Sequence, residues 1–148
     1  GVVGLMAPGT SGLIGLVSTV APIIAGGNGC IVVASEAHPL PAVTFAEVLA
    51  TSDLPGGVVN LLTGLRSELL KPLVTHMDIN AIVCADPTHE EKSMLDTEAA
   101  VNMKRVVVPK VSDWSKEEAR SPYSILDTQE VKTTWHPIER GQGGGGGY

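Results

Sequence analysis

The sequence is poor in basic residues, and those it has are unevenly placed. Only 10 of its 148 residues are Lys or Arg, against 16 Asp or Glu, which gives a formal net charge of -6. Reading from Gly1, the first cation is Arg66. Nucleic acids and anionic membranes bind basic surfaces, because such surfaces attract phosphate groups. The composition therefore argues against both as partners.

The sequence also lacks a hydrophobic run long enough to cross a membrane. The apolar stretch 12–26 contains Ser18, Thr19 and Pro22, and it is shorter than the roughly 20 residues that a spanning helix needs. No basic segment precedes it, as one would in a signal peptide. We expect a buried helix here. Gly1 opens directly into an apolar run without an initiator Met, which we interpret as a truncated or processed start.

Cysteine is scarce, and the two that occur, Cys30 and Cys84, are far apart. Each lies in an apolar run typical of a strand, with no Cys or His nearby at the spacing of metal ligands. We therefore expect two buried thiols in a reducing compartment, and hence a cytoplasmic protein without a metal site.

Short apolar runs alternate with segments of helix length along the first two thirds of the chain. The runs lack polar alternation, which is typical of strands covered on both faces of a parallel sheet. Right-handed crossovers then favour an α/β fold with a doubly wound, mostly parallel Rossmann-type sheet of order 3-2-1-4-5. The predicted strands are residues 2–6, 30–34, 58–62, 81–84 and 105–108, and the predicted helices are residues 11–25, 41–51, 67–76 and 89–102.

Such a sheet predicts a ligand crevice at the switch point between its first and fourth strands. Two loops should therefore decide the function, residues 7–12 and residues 85–89. Thr10 or Ser11 is expected to cap the first helix, Ser67 is the start signal of the third, and Asp86 is expected to cap the fourth, because short polar side chains accept hydrogen bonds from free helix amides.

The sequence changes character after Val108, where prolines and clustered charges appear and the periodicity fades. The chain is therefore predicted to contain a Rossmann-like domain at 1–108, an extension at 109–142 and a flexible glycine tail at 143–148.

One segment of the extension stands out, the stretch QEVKTTWH at 129–136. It alternates Val131, Thr133 and Trp135 with polar residues, the pattern of a half-buried strand. The predicted sheet has no obvious place for it, so we expect an edge strand that pairs with another chain or domain. A strand folded back on its own domain is the alternative.

The stretch from Gly27 to Gly64 resembles the aldehyde dehydrogenase superfamily. It reads GNGCIVVASEAHPLPAVTFAEVLATSDLPGGVVNLLTG, similar to the family pattern G-N-x-V-V-x-K-P-S-E followed by L-P-x-G-V-x-N-V-x-x-G. The resemblance implies NAD(P) as the cofactor of the parent family, whose Lys and Glu in K-P-S-E hydrogen-bond the adenosine ribose. Here Val33 replaces the Lys, so only Ser35 and Glu36 remain as cofactor-binding candidates.

The sequence departs from the family at each position where the resemblance implies chemistry. The family's first loop ends P-W-N, whose Asn stabilises an oxyanion, whereas this loop reads APGTS from Ala7. The fourth strand should lead into F-T-G-S-T, which lets a helix N-terminus approach a pyrophosphate, whereas Asp86 would repel one. A Glu base is missing from 104–109, and no Cys nucleophile follows Cys84. We expect no catalytic residue in this chain.

A more specific resemblance is to the family 16 aldehyde dehydrogenases, which carry two dehydrogenase-like halves in one chain. The segments SEAHPL and HMDINA, the altered fourth loop and the segment around Trp135 resemble the C-terminal, cysteine-less half. This implies a non-catalytic module with a structural or oligomerisation role in a larger NAD(P)-dependent enzyme, binding no cofactor itself. Its partner would be a catalytic half or a second copy, contacted through the strand around Trp135.

Two alternatives stay open. One is a residual nucleotide-binding or regulatory domain that uses Ser35, Glu36 and the first loop. The other is an enzyme with a histidine base, although solitary histidines in caps and turns are mostly structural. The four histidines are His38, His76, His89 and His136.

Overall fold

The computed structural model of the protein describes residues 1–136. At its centre is a five-stranded parallel sheet of order β3-β2-β1-β4-β5, so the predicted fold is confirmed. The strands are β1 (Val2–Met6), β2 (Gly29–Val33), β3 (Val59–Leu62), β4 (Ala81–Cys84) and β5 (Arg105–Val107), and the helices are α1 (Ile14–Ala25), α2 (Leu40–Ala50), α3 (Arg66–Thr75), α4 (His89–Ala100) and the short α5 (Ser124–Asp127).

Two apolar clusters cover the two faces of the sheet. Side chains alternate along a strand, so Val3 and Leu5 of β1 point to one face while Met6 points to the other. α1 and α2 pack on the first face, and α3 and α4 on the second. Gly4 permits the close packing of α3, because a Cβ there would lie 2.9 Å from Cγ of Leu73. Both faces are therefore closed, as the unbroken apolar strands predict.

The starts of α1 and α3 test two of the predicted helix start signals. Ser11 lies before α1, and its hydroxyl oxygen accepts a hydrogen bond from the amide of Gly15 at 2.9 Å. The prediction for Ser67 is wrong, because this residue lies inside α3. The amide of Arg66, the first residue of α3, instead donates to the carboxylate of Glu36 at 2.9 Å. The cap of α3 thus comes from a residue distant in the sequence.

The first part of the extension folds back onto the domain. Trp114 and Ala119 are buried against Ala85, in a third small cluster. The side-chain amide of Asn28 lies 3.5 Å from the hydroxyl of Thr128. These contacts attach the extension to the face that carries α1.

The segment 129–136 forms no strand within the described part of the chain, so a strand paired with the sheet of this domain is not observed for these residues. Val131 is 80% exposed and Trp135 is 90% exposed. Pairing with another chain stays a prediction. The end of the extension and the glycine tail at 143–148 lie outside the described residues. Over residues 1–136, no helix combines the length and apolar character that a membrane span requires.

Candidate functional site

The carboxyl ends of β1, β2 and β4 meet at one edge of the sheet, where the fold places its ligand crevice. The amide of Ala7 donates to the carbonyl of Val33 at 2.9 Å, and the amide of Ala85 donates to the carbonyl of Met6 at 3.1 Å. These bonds hold the loops after β1 and β4 against their neighbours. A cavity of about 320 Å³ opens here, lined by Met6, Ala7, Gly9, Ala34, Glu36, Ala37 and Arg66.

The two cofactor-binding candidates lie at this edge, and both are engaged within the chain. Ser35 is buried; its hydroxyl donates to the carbonyl of Gly9 at 3.2 Å and accepts from the amide of His38 at 3.2 Å. The carboxylate of Glu36 accepts from the first amide of α3, where the helix dipole favours negative charge. Both side chains therefore stabilise loops in this structure.

Arg66 is the centre of the hydrogen-bond network at this edge. Its Nε donates to Glu91 at 2.8 Å, and its Nη2 donates to Glu91 at 3.3 Å and to the carbonyl of Ala85 at 2.9 Å. Nη2 also lies 3.1 Å from Sγ of Cys84. One guanidinium thus joins α3, α4 and the loop after β4. The sequence reading missed this residue, although its position as the first cation of the chain was a signal.

Burial and the guanidinium set the protonation of the neighbouring groups. Burial pushes the pKa of Glu91 upward, but hydrogen bonds from Arg66 and from the amide of Thr88, with the charge of Arg66, leave it below its ordinary value. Burial raises the pKa of the Cys84 thiol to about 11, although Arg66 acts in the opposite direction. The pKa of Cys30 is likewise raised to about 11 by burial. Neither thiol supplies a thiolate nucleophile at neutral pH.

Two amides at the N-terminus of α4 already donate hydrogen bonds to side chains of this chain. The amide of Glu91 donates to the hydroxyl of Thr88 at 3.2 Å, and the amide of Thr88 donates to the carboxylate of Glu91 at 2.9 Å. This is a capping box, so the prediction that Asp86 caps α4 is wrong. Asp86 is exposed with φ of 49°. With Glu90, three carboxylates lie along these six residues.

The four histidines occupy different parts of the structure. His38 precedes α2, His76 follows α3 and His89 begins α4, and all four side chains are exposed. No group of three or more His, Cys, Asp or Glu residues in the described chain could hold a metal ion. The histidines therefore form no shared site here.

Comparison with known proteins identifies the sequences and folds that this chain resembles. Residues 1–109 match the model of the "Aldehyde dehydrogenase family". NADP/NAD-dependent aldehyde dehydrogenase PuuC of Escherichia coli strain K12 is 39% identical over 85 residues, which are 57% of this chain and 17% of PuuC. An aldehyde dehydrogenase of Agaricus bisporus is 30% identical over 132 residues, 89% of this chain and 25% of that protein.

Solved structures give the same result for the fold. A variant of aldehyde dehydrogenase C from Pseudomonas syringae, in complex with NAD+ and octanal, superposes with a TM-score of 0.68 and 31% identity. The match covers 73% of this chain and 22% of that one. An indole-3-acetaldehyde dehydrogenase in complex with NAD+ gives a TM-score of 0.68 and 30% identity. The chain spans a quarter or less of the length of these relatives.

Proposed function

The chain belongs to the aldehyde dehydrogenase family, and from this we propose that it is a non-catalytic module of a larger NAD(P)-dependent aldehyde dehydrogenase. Its role is structural, and its place corresponds to the C-terminal, cysteine-less half of the family 16 enzymes that the sequence resembles. The catalytic nucleophile and base would then come from the rest of that polypeptide. Partner and cofactor follow from this role: a catalytic half or a second copy as partner, and no NAD(P) on this chain.

The proposal rests on the N-terminus of α4, where a capping box engages two of the backbone amides. A diphosphate binds a helix N-terminus because free amides and the positive end of the dipole face it. Here the amides of Thr88 and Glu91 are engaged in the capping box. Asp86, Glu90 and Glu91 add negative charge, while Arg66 is paired with Glu91. Two like charges about 4 Å apart near a protein surface repel by about 4 kcal/mol, so a diphosphate is disfavoured.

Calorimetric titration of the full chain with NAD+ and NADP+ tests this part of the proposal. No heat of binding is expected at millimolar coenzyme, whereas E. coli PuuC, run as the positive control, should titrate. A saturable heat with a stoichiometry near one would contradict the proposal.

The alternative, a residual nucleotide-binding domain, is favoured by one observation: the cavity of about 320 Å³ beside Glu36 and Arg66. If the chain does bind a nucleotide there, Glu36→Gln should weaken binding about tenfold through the lost ribose contact, about 1.4 kcal/mol. The matched control is Glu47→Gln, which changes an exposed carboxylate on α2. This variant should bind the nucleotide as tightly as wild type. Equal affinities would place the ligand elsewhere.

The assembly role concerns the strand predicted around Trp135. The segment 129–136, with its exposed Val131 and Trp135, would offer backbone groups and an aromatic anchor to the sheet of a partner. Light scattering after gel filtration should give an oligomer for the full chain and a smaller species for Trp135→Ala. Tyr123→Ala, which removes an aromatic ring that is 74% exposed outside the segment, is the control. An unchanged mass for Trp135→Ala would count against this role.

A further inference from the structure

The extension and the domain enclose a cavity between them, on the side of the sheet that carries α1. Its volume is about 160 Å³, and an engineered cavity of about 150 Å³ in another protein binds benzene. The inner wall is apolar and consists of Ile23 of α1, Val83 of β4, Val107 of β5 and Trp114 of the extension. Ile23, Val83 and Trp114 are buried, so an apolar group of this size would be shielded from water here.

Polar side chains line another part of the same cavity. Hydroxyl groups come from Ser18 on α1, and from Ser124 and Thr128 at the two ends of α5. Ser18 and Ser124 are half-buried, and a hydroxyl can donate one hydrogen bond and accept two. Binding sites for small molecules combine an apolar lining with a few convergent polar groups. The cavity has this composition.

The charged residues of the lining indicate the sign of the ligand. They are two carboxylates, Glu118 and Asp127, and one ammonium group, that of Lys110. All three side chains are exposed, so their charges lie where the cavity meets the solvent. Two negative charges outweigh one positive charge, and the whole chain has a net charge of -6. An organic cation is therefore attracted to the cavity more strongly than an anion.

We propose that this cavity binds a small organic ammonium ion whose apolar body is about the size of a benzene ring. The body would fill the space beside Trp114, and the ammonium group would face the carboxylates of Glu118 and Asp127. Such a ligand touches α1 and the extension together, so its binding holds the extension against the domain. The cavity shares no lining residue with the crevice beside Glu36 and Arg66, and the inference is independent of the proposed structural role.

Nuclear magnetic resonance of the full chain tests the proposal with three probes of similar size: benzylamine, benzyl alcohol and benzoate. The chain has two Trp residues. Trp114 lines the cavity and Trp135 is 90% exposed, so their indole N–H signals provide a reporter and an internal control, assigned with Trp135→Phe. Benzylamine should shift the Trp114 signal with a Kd of about 1 mM, reasonable for so small a ligand. Benzyl alcohol should bind about tenfold more weakly, and benzoate more weakly still.

Two variants locate the probe in the cavity. Ser18→Leu fills the cavity from α1 and should weaken benzylamine binding at least tenfold. Its matched control is Ser93→Leu on the exposed surface of α4, which should bind benzylamine as tightly as wild type. Asp127→Asn removes one of the two carboxylates, so it should reduce the preference for benzylamine over benzyl alcohol without changing the affinity for the alcohol. Circular dichroism checks that each variant folds.

A Trp114 signal that stays in place well above millimolar benzylamine would overturn the proposal. Equal or tighter binding of benzoate would do the same, because the favoured ligand would then not be a cation. If Ser18→Leu folds and binds benzylamine as tightly as wild type, the probe lies outside the cavity and the proposal is wrong. Weakened binding in Ser18→Leu, with a reduced preference in Asp127→Asn, would support it. Coenzyme binding and assembly through Trp135 are tested separately, so their outcomes do not affect this one.

Discussion

Replacing Arg66 by Met should destabilise the protein by about 2 to 4 kcal/mol. Met keeps the alkyl contacts but removes the guanidinium from Glu91 and from the carbonyl of Ala85, at 2.8 and 2.9 Å. A hydrogen bond that involves a charged group contributes about 1.5–3 kcal/mol. The side chains of Arg66 and Glu91 are 22% and 19% exposed, so water compensates part of the loss, and the estimate stays below the sum of two such bonds.

Lys92→Met is the matched control for this substitution. Lys92 and Asp96 form an ion pair of nearly the same length, 2.9 Å, on the surface of α4, where their side chains are 55% and 57% exposed. Exposed pairs one helical turn apart contribute only about 0.3–0.5 kcal/mol. Urea unfolding, analysed by linear extrapolation, gives the free energy of unfolding of each variant.

A double-mutant cycle with Glu91→Gln isolates the Arg66–Glu91 interaction. A coupling energy of about 1 to 3 kcal/mol is expected for two residues in direct contact. The reasoning fails if Arg66→Met costs no more than Lys92→Met, or if the coupling energy is zero. Either result would mean that Arg66 does not hold the loop after β4 and that the crevice is shaped by the backbone alone.

Three further predictions concern the same edge and the extension. The pKa of Glu91 is lowered on folding. The ionised carboxylate therefore contributes its full stability to the fold above the unfolded pKa, about 4.3, and loses it as pH falls through the folded value. Urea midpoints should fall with acid in wild type and less steeply in Glu91→Gln. Trp114→Ala should cost about 3–5 kcal/mol and leave only the red-shifted fluorescence of exposed Trp135; an unchanged spectrum would refute the burial. Asp86→Gly should destabilise the protein less than Asp96→Gly, because Asp86, unlike Asp96, has a positive φ, and glycine inside α4 costs about 1 kcal/mol; equal urea stabilities would contradict this.

The strands and their order could be predicted because the information is local. β1 and β4 begin and end at the predicted residues, since each is an apolar run bounded by polar or turn residues. Right-handed crossovers then leave few possible orders for the sheet. Here the physical rules that fix the fold act over short stretches of sequence.

The cap of α3 and the contacts of the site could not be predicted, because they join residues far apart in the chain. The capping box of α4 is local, and its T-x-x-E signature from Thr88 to Glu91 was a signal in the sequence. Ser67 has the right side chain for a cap, but α3 begins at Arg66, where Glu36 accepts the first amide across 30 positions. The resemblance located Ser35 and Glu36 at the crevice edge. It could not indicate that Gly9 and Arg66 bond to them, because those bonds depend on how neighbouring loops meet.

In the loop after β4, the backbone conformation and the side chains lead to different expectations about coenzyme binding. The loop reads CADPT from Cys84, and the resemblance sets it against the family pattern F-T-G-S-T, whose third residue is glycine where this loop has Asp86. Its φ of 49° lies in the left-handed region, which glycine occupies freely and Asp tolerates better than most residues. The backbone here thus has a conformation that suits glycine, and under the proposed function the carboxylate of Asp86 disfavours a diphosphate. A comparison of folds detects the backbone conformation but not the charge of the side chains. Coenzyme binding therefore has to be measured on this chain.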